Sequence, residues 1–391
     1  MAENTKLFAP LKVGSTQLDH RVVMAPLTRF RATNDNVPTD VMTQYYAQRA
    51  IVPGTLLISE ATFISARAGG YANIPGLWTE QQLAGWKKIT DAVHAKGSKI
   101  YVQLWNLGRA AWPDPEGSGG AVKNEEFDFK NNFVSASDVP MAKGLPAPRP
   151  MTEEEIWTTI GDYATAAKNA VEKGGFDGVE IHGAHGYLID QFTQDVCNKR
   201  TDQWGGSIEN RARFAVEVSR AVAKAVGAER TGIRLSPWSN FQGMRMSDPI
   251  PQFSYLIDQL RALDLAFLHL VEPRVAGVID RDPQNESLDF ALQSWGRDKP
   301  VLIAGGFTTE LAIKAVEEKY KDHDVAVVFG RRFISTPDLV YRVKKGIPFN
   351  DYDRFTFYIN QKAGDNPEPG YIDYPYSDEF IKEFGKPDVA I

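Results

Sequence analysis

The residues best placed to do chemistry cluster in GVEIHGAHGYLIDQF at 178–192, where His182 and His185 stand three apart with Gly183, Gly186 and Tyr187 around them. Two imidazoles on one turn admit three uses. Both could donate hydrogen bonds to one substrate oxygen. They could ligate a metal, for which Glu60 is the one obvious carboxylate at another strand end. They could also be structural. Arg234 is a second signal, a cation inside the apolar run 233–235. A buried charge needs an anionic or strongly polar partner, either an internal carboxylate or an electron-rich cofactor. The third signal is the pair Gly305-Gly306 together with Gly330-Arg331. Glycines let a backbone approach a phosphate closely, and a guanidinium fork suits its oxygens, although glycines at strand ends also simply make turns.

These residues are useful only if the fold gathers them. Short apolar, β-rich runs recur at 22–25, 55–60, 100–104, 178–182, 232–236, 266–271, 301–304 and 325–329. Such continuous runs are the pattern of a parallel sheet covered on both faces. Helices are expected between them. Thr79 with Gln82 and Thr152 with Glu155 make capping boxes, Ser207 can cap a third helix, and 252–263, 308–319 and 336–345 read as helical too. Strands alternating with helices predict an α/β fold, a single (β/α)8 TIM barrel over 1–391. A doubly wound sheet would also alternate, but its first strand is usually followed by a glycine-rich fingerprint, and here Ala25-Pro26-Leu27-Thr28 follows. Residues 7–20 read as an N-terminal hairpin plugging the barrel. Residues 106–150, rich in Gly, Pro and Asn, read as a lid or pocket wall inserted after strand 3.

Barrel chemistry sits at the C-terminal ends of strands. Those ends carry Thr28, Glu60-Ala61, Gln103 and Trp105, His182 and His185, Arg234, Gly305-Gly306 and Gly330-Arg331. Nearly every strand therefore delivers a polar group or a glycine to one rim.

The composition narrows the function. Against 50 acidic residues stand 44 Lys and Arg, a formal charge of −6, which disfavours a nucleic-acid partner. The one cysteine, Cys197, excludes an intrachain disulfide or a cysteine-ligated cluster. No apolar run is long enough to span a membrane, and neither terminus has a targeting pattern, so a cytoplasmic enzyme is expected.

The chain resembles the old yellow enzymes, FMN-dependent ene-reductases, over about residues 7 to 380, in the wording of their fungal and yeast branch. The motifs that carry the resemblance are APLTRFRA at 25–32, LLISEATFIS at 56–65, VQLWNLGR at 102–109 and the histidine segment at 178–192. WGGSIENRARF at 204–214, GIRLSP at 232–237, LIAGGF at 302–307 and FGRRFISTPDL at 329–339 complete it. The resemblance implies noncovalent FMN at the barrel mouth, with NADPH as reductant and small electron-poor alkenes as substrates. It implies a monomer or homodimer. Pro26, Leu27, Thr28, Ala61, Gln103 and Arg234 would contact the flavin, and Gly305, Gly306, Gly330 and Arg331 its phosphate. His182 and His185 would hold the substrate carbonyl, Tyr187 would donate a proton, and Trp105 and Tyr358 would line the substrate pocket. His185 stands where much of that branch has Asn, Trp204 where Tyr is usual, and the loop 272–290 varies among members. The alternatives are a flavin-dependent pathway isomerase and a metal-dependent barrel hydrolase or aldolase using His182, His185 and Glu60. Tyr187 favours the saturating reaction over the isomerising one.

Overall fold

Eight strands close into one parallel barrel. They are β1 (Val22–Met24), β2 (Leu56–Phe63), β3 (Lys99–Trp105), β4 (Gly178–Gly183), β5 (Thr231–Leu235), β6 (Phe267–Val271), β7 (Val301–Ala304) and β8 (Val325–Phe329). The computed structural model describes residues 2–113, 121–276, 279–280, 282–283, 285–359 and 366–387. Each strand pairs with the next in chain order, and β8 returns to β1 with Val328 opposite Val23. Every residue of β4 through β8 is buried. That double-sided burial is why the strands are continuous apolar runs rather than alternating ones.

The expected caps form. Thr79 Oγ1 accepts from Gln82 N at 3.2 Å while Gln82 Oε1 accepts from Thr79 N at 3.1 Å, starting the helix Glu80–His94. Thr152 and Glu155 repeat the exchange before Glu153–Glu172, and Ser207 caps Ile208–Val226. Such caps stabilise a helix by ~1 kcal/mol each. Two stretches end differently from the reading. The segment at 308–319 splits into an α-helix Thr309–Lys314 and a π turn Ala315–Lys319. The helix read at 336–345 starts at Leu339 instead, because Pro337 offers no amide and disfavours helical backbone before it. The helix Asp40–Arg49 has no sequence signal of its own. It buries Met42, Thr43 and all of 45–49, so no apolar stripe of period 3.6 develops.

Strand alternation fills the barrel interior. Val23, Ile58, Tyr101, Phe267, Leu302 and Val328 meet there, and the hairpin of Leu11–Val13 with Thr16–Leu18 closes the N-terminal end. Its Leu11, Val13 and Leu18 join that interior cluster, and Thr16 Oγ1 lies 2.9 Å from the Tyr101 hydroxyl. The plug is therefore where the sequence reading puts it. Among the described residues no helix is long and apolar enough to cross a membrane.

The insertion after β3 differs from expectation. None of its described residues lines the cavity at the barrel mouth, and 114–120 lie outside the described residues. It works one layer back instead. Arg109 is fully buried and donates to the carbonyls of Pro140 (3.1 Å) and Gln242 (2.9 Å), and Ser135 Oγ donates to Gln191 Oε1 at 2.8 Å. The segment thus braces the loops that carry the site from behind.

Candidate active site

The C-terminal ends of the strands open into a cavity of about 420 Å³. That lies within the ~300–1,000 Å³ usual for ligand sites. Every residue that the resemblance assigns to the site is on its wall. Pro26, Leu27 and Thr28 follow β1; Ala61 comes from β2; Gln103 and Trp105 from β3. His182, His185 and Tyr187 come from β4 and its turn, and Arg234 from β5. Gly305 and Gly306 follow β7, Gly330 and Arg331 follow β8, and Tyr358 arrives from the C-terminal segment.

The turn after β4 is built to hold its side chains in place. His185 adopts φ 56°, a left-handed backbone that costs a non-glycine residue energy. Its amide donates to Ser236 Oγ at 2.8 Å, and the Gly186 amide donates to Asp190 Oδ2 at 2.8 Å. Two side chains thus clamp the strained His185 and the glycine after it. Burial pushes the Asp190 carboxyl up to about 6.

The two imidazoles are neutral. Burial, then the nearby Arg234 charge, holds His182 and His185 well below the usual histidine range. His182 Nδ1 accepts from the Ala184 amide at 3.3 Å, which places the ring proton on Nε2. His185 Nε2 is buried without a partner among the described residues. The Tyr187 ring stands edge-on to Trp105 and to His182, both at 4.8 Å between centroids. Burial raises the Tyr187 phenol well above its ordinary value, against a hydrogen bond from the Gln242 side chain that opposes the shift. The phenol therefore keeps its proton at neutral pH.

Glu60 is not part of this group. The β2–β3 register shifts between Ile58 and Ala61, so Ala61 reaches the cavity and Glu60 does not. Its Oε1 lies 3.4 Å from the Tyr46 hydroxyl, and burial raises the carboxyl to about 8 despite Arg29 and Arg31 nearby. Among the described residues no three His, Cys, Asp or Glu side chains gather to hold a metal ion. The histidine–glutamate metal site is not assembled.

Sequence reasoning missed several wall residues, including Phe30, Tyr71, Phe241, Arg354 and Phe357. They come from loops and single 3-10 turns, too short for periodicity to mark an inward side chain. Glu180 and His269, in the barrel beneath, were detectable. Glu180 is two residues before His182 on one strand, so it shares that strand's inward face. Trp204 is fully buried against Trp157 and Phe214, a packing substitution as expected.

The chain belongs to the NADH:flavin oxidoreductase / NADH oxidase family, whose model matches residues 6–350. It is an FMN-dependent oxidoreductase of the old yellow enzyme type, a class that uses NADPH. A chanoclavine-I aldehyde reductase of Penicillium roqueforti (strain FM164) is 57% identical over 378 residues, covering 97% of this chain and 98% of that protein. An NADP-dependent oxidoreductase of Aspergillus flavus is 51% identical over 385 residues, covering 96% and 98%. The crystal structure of an old yellow enzyme from Pichia sp. AKU4542 superposes with a TM-score of 0.84 at 39% identity, covering 99% of this chain and 96% of that one.

The residues present suit FMN. A Cβ on Gly330 would meet only Leu27 and Ala25, at 3.7 and 3.9 Å, so no protein neighbour demands glycine there. Space beside that backbone is what a ligand would fill. Arg234 Nε is buried without a partner, and the residue forms no ion pair among the described residues. A buried cation of this kind calls for an electron-rich group above it.

Proposed function

We propose that this enzyme reduces the carbon–carbon double bond of α,β-unsaturated carbonyl compounds with electrons from NADPH, in a ping-pong sequence. Enals come first among them, because the similar Penicillium roqueforti protein is named an aldehyde reductase. The observation that carries the reading is the turn 182–187, which brings two neutral imidazoles and a protonated phenol to one wall of the cavity.

The flavin would lie noncovalently against Pro26, Leu27, Thr28 and Ala61. Gln103 and Arg234 would face its pyrimidine edge, and Gly305, Gly306, Gly330 and Arg331 would hold its phosphate. Bound FMN, reduced by NADPH, supplies the hydride. The chain's own residues manage the charge and the proton that accompany it. A carbonyl oxygen gains negative charge as its β-carbon becomes saturated, and His182 Nε2–H with the His185 ring would hold that oxygen. Preorganised donors of this kind stabilise the transition state by ~3 kcal/mol each. Tyr187 Oη would give its proton to the α-carbon. Trp105 and Tyr358 would wall the substrate's apolar part.

The test is the visible spectrum of the purified protein. The flavin bands are expected to bleach under anaerobic NADPH and to return when cyclohexenone or a simple enal is added. A flavin that bleaches but is reoxidised by neither compound overturns the saturating reaction and favours the isomerising alternative.

A further inference from the structure

Beneath the cavity floor, the barrel holds a polar pair that the proposed reaction does not use. Glu180 on β4 and His269 on β6 are both fully buried, with His269 Nδ1 2.7 Å from Glu180 Oε2. The other carboxylate oxygen, Oε1, accepts from Gln103 Nε2 at 2.7 Å. Strand register explains how the three meet. Gln103 lies opposite Glu180 across β3 and β4. On β5, between β4 and β6, Gly232 pairs with both Glu180 and Phe267. Having no side chain, Gly232 leaves room for the Phe267 ring beside this group, where a Cβ would come within 2.2 Å of Phe267 Cζ.

This arrangement decides which end of the Gln103 amide faces the cavity. A carboxylate only accepts hydrogen bonds, so it takes the Gln103 NH2 and leaves the amide oxygen for whatever lies above. Arg234 on the neighbouring wall offers donors only. The cavity floor therefore presents one acceptor beside a set of donors, the complement of an imide edge, in which an N–H stands between two carbonyls. The pyrimidine ring of a flavin has such an edge. Glu180 is also the negative group whose charge acts on Arg234 and on His269.

We propose that Glu180 and His269 are positioning residues for the flavin: Glu180 sets the polarity of the Gln103 amide and offsets the Arg234 charge, and His269 holds Glu180 in that orientation. The inference rests on the reading that Gln103 and Arg234 face the flavin. Neither Glu180 nor His269 lines the cavity itself, so neither touches the reacting atoms.

Glu180→Gln removes the negative charge and lets the new amide present either end to Gln103. FMN release from the diluted holoenzyme, followed by flavin fluorescence, is expected to report a dissociation constant about tenfold weaker. The two-electron midpoint potential is expected to rise by ~30 mV, the equivalent of a tenfold preference. Its sign follows from electrostatics, since removing a negative charge near the ring favours the electron-rich state. His269→Leu should weaken FMN in the same direction, whereas His269→Gln, which keeps a donor for Glu180, should restore retention. Wild-type FMN affinity and potential in Glu180→Gln overturn the proposal. Should that variant not fold, equal retention in His269→Leu and His269→Gln overturns it. Gln103→Leu separates the two layers of the argument. If Gln103→Leu weakens FMN and Glu180→Gln does not, only the role of the pair fails. If Gln103→Leu also leaves FMN unchanged, the placement of Gln103 against the flavin fails.

Discussion

Tyr187 and His182 lie on the same turn and touch edge to face, yet their proposed tasks separate cleanly. A phenol held protonated can give up a proton only when a carbanion develops beside it. Tyr187→Phe is therefore expected to leave reduction by NADPH intact and to slow enone reduction by two orders of magnitude or more, on the order of what one transition-state contact contributes. Rapid-mixing absorbance of the two half-reactions checks this, and unchanged reoxidation removes Tyr187 as the donor. His182→Ala should instead weaken binding of phenols that mimic the charged oxygen, seen as loss of their charge-transfer band. Because both imidazoles stay neutral through the ordinary pH range, binding of a neutral enone should be flat between about pH 6 and 8. A histidine-like step in that range would show that one of them titrates. The histidine pair was visible from residue types and spacing with three uses open, and the family resemblance supplied the role of Tyr187. Gln242 was not visible, because it sits at φ 57° in an irregular loop.

At the scale of elements, the substrate side of the cavity depends on a segment far from the barrel in sequence. Phe357 and Tyr358 reach the wall from the stretch after the last barrel helix, and buried arginines hold that stretch. Arg29 donates from Nε to the Phe357 carbonyl at 3.0 Å and from Nη2 to that of Gly370 at 2.8 Å. Arg49 reaches the Tyr371 carbonyl at 3.1 Å, and the Tyr371 ring stacks on Tyr45 at 4.2 Å with the Arg31 guanidinium 4.8 Å from the same Tyr371 ring. A planar fork can bridge two separated carbonyls where an ammonium cannot. Arg29→Lys is thus expected to raise KM for the enone roughly threefold to tenfold while kcat changes less. Steady-state kinetics with a saturating reductant checks it, and an unchanged KM would mean that the segment is held without Arg29. Arg29 and Arg31 appear in a motif the sequence reading quoted, but their partners are carbonyls some 325 residues away, which no local pattern reports.

For the whole molecule, the polar groups enclosed by the barrel and its plug set the response to pH. Burial, then the Lys344 charge, lowers His20 from 6.5 to about 4, and His182, His185 and His269 are lowered as well. A histidine depressed in the fold binds its proton more readily in the unfolded chain. Stability is then complete above about pH 6.5 and is lost as pH falls towards 4. For His20 alone the loss is ~3 kcal/mol. The melting temperature of the wild type should fall between pH 7 and 4.5 by more than that of His20→Gln, and parallel curves would show that His20 does not contribute. Glu60 works in the opposite sense. Its carboxyl, raised to about 8, stays protonated where the unfolded chain has ionised, so its contribution is lost as pH rises from about 4.5 to 8.

The strands, their order, the main helix caps and the plug all follow from local apolar runs and short-range hydrogen-bonding patterns, so the sequence by itself determined the barrel and its rim. The rim then named many of the cavity residues, because parallel strands in a barrel deliver their C-terminal ends to one face, while Pro26, Leu27, Tyr187 and Tyr358 were named by the family resemblance alone. Other features needed the tertiary structure. Glu60 and Ala61 are adjacent, and only the register shift in β2 decides that the alanine faces the cavity and the glutamate does not. The insertion after β3 looks like a lid in composition but braces the site from behind, since Arg109 finds its carbonyl partners there. Glu180 meets His269 across an intervening strand, where Gly232 makes room for the Phe267 ring. Each of these depends on which residues face one another across separate elements. That pairing is settled by packing the closed barrel, not by the order of residues along any one segment.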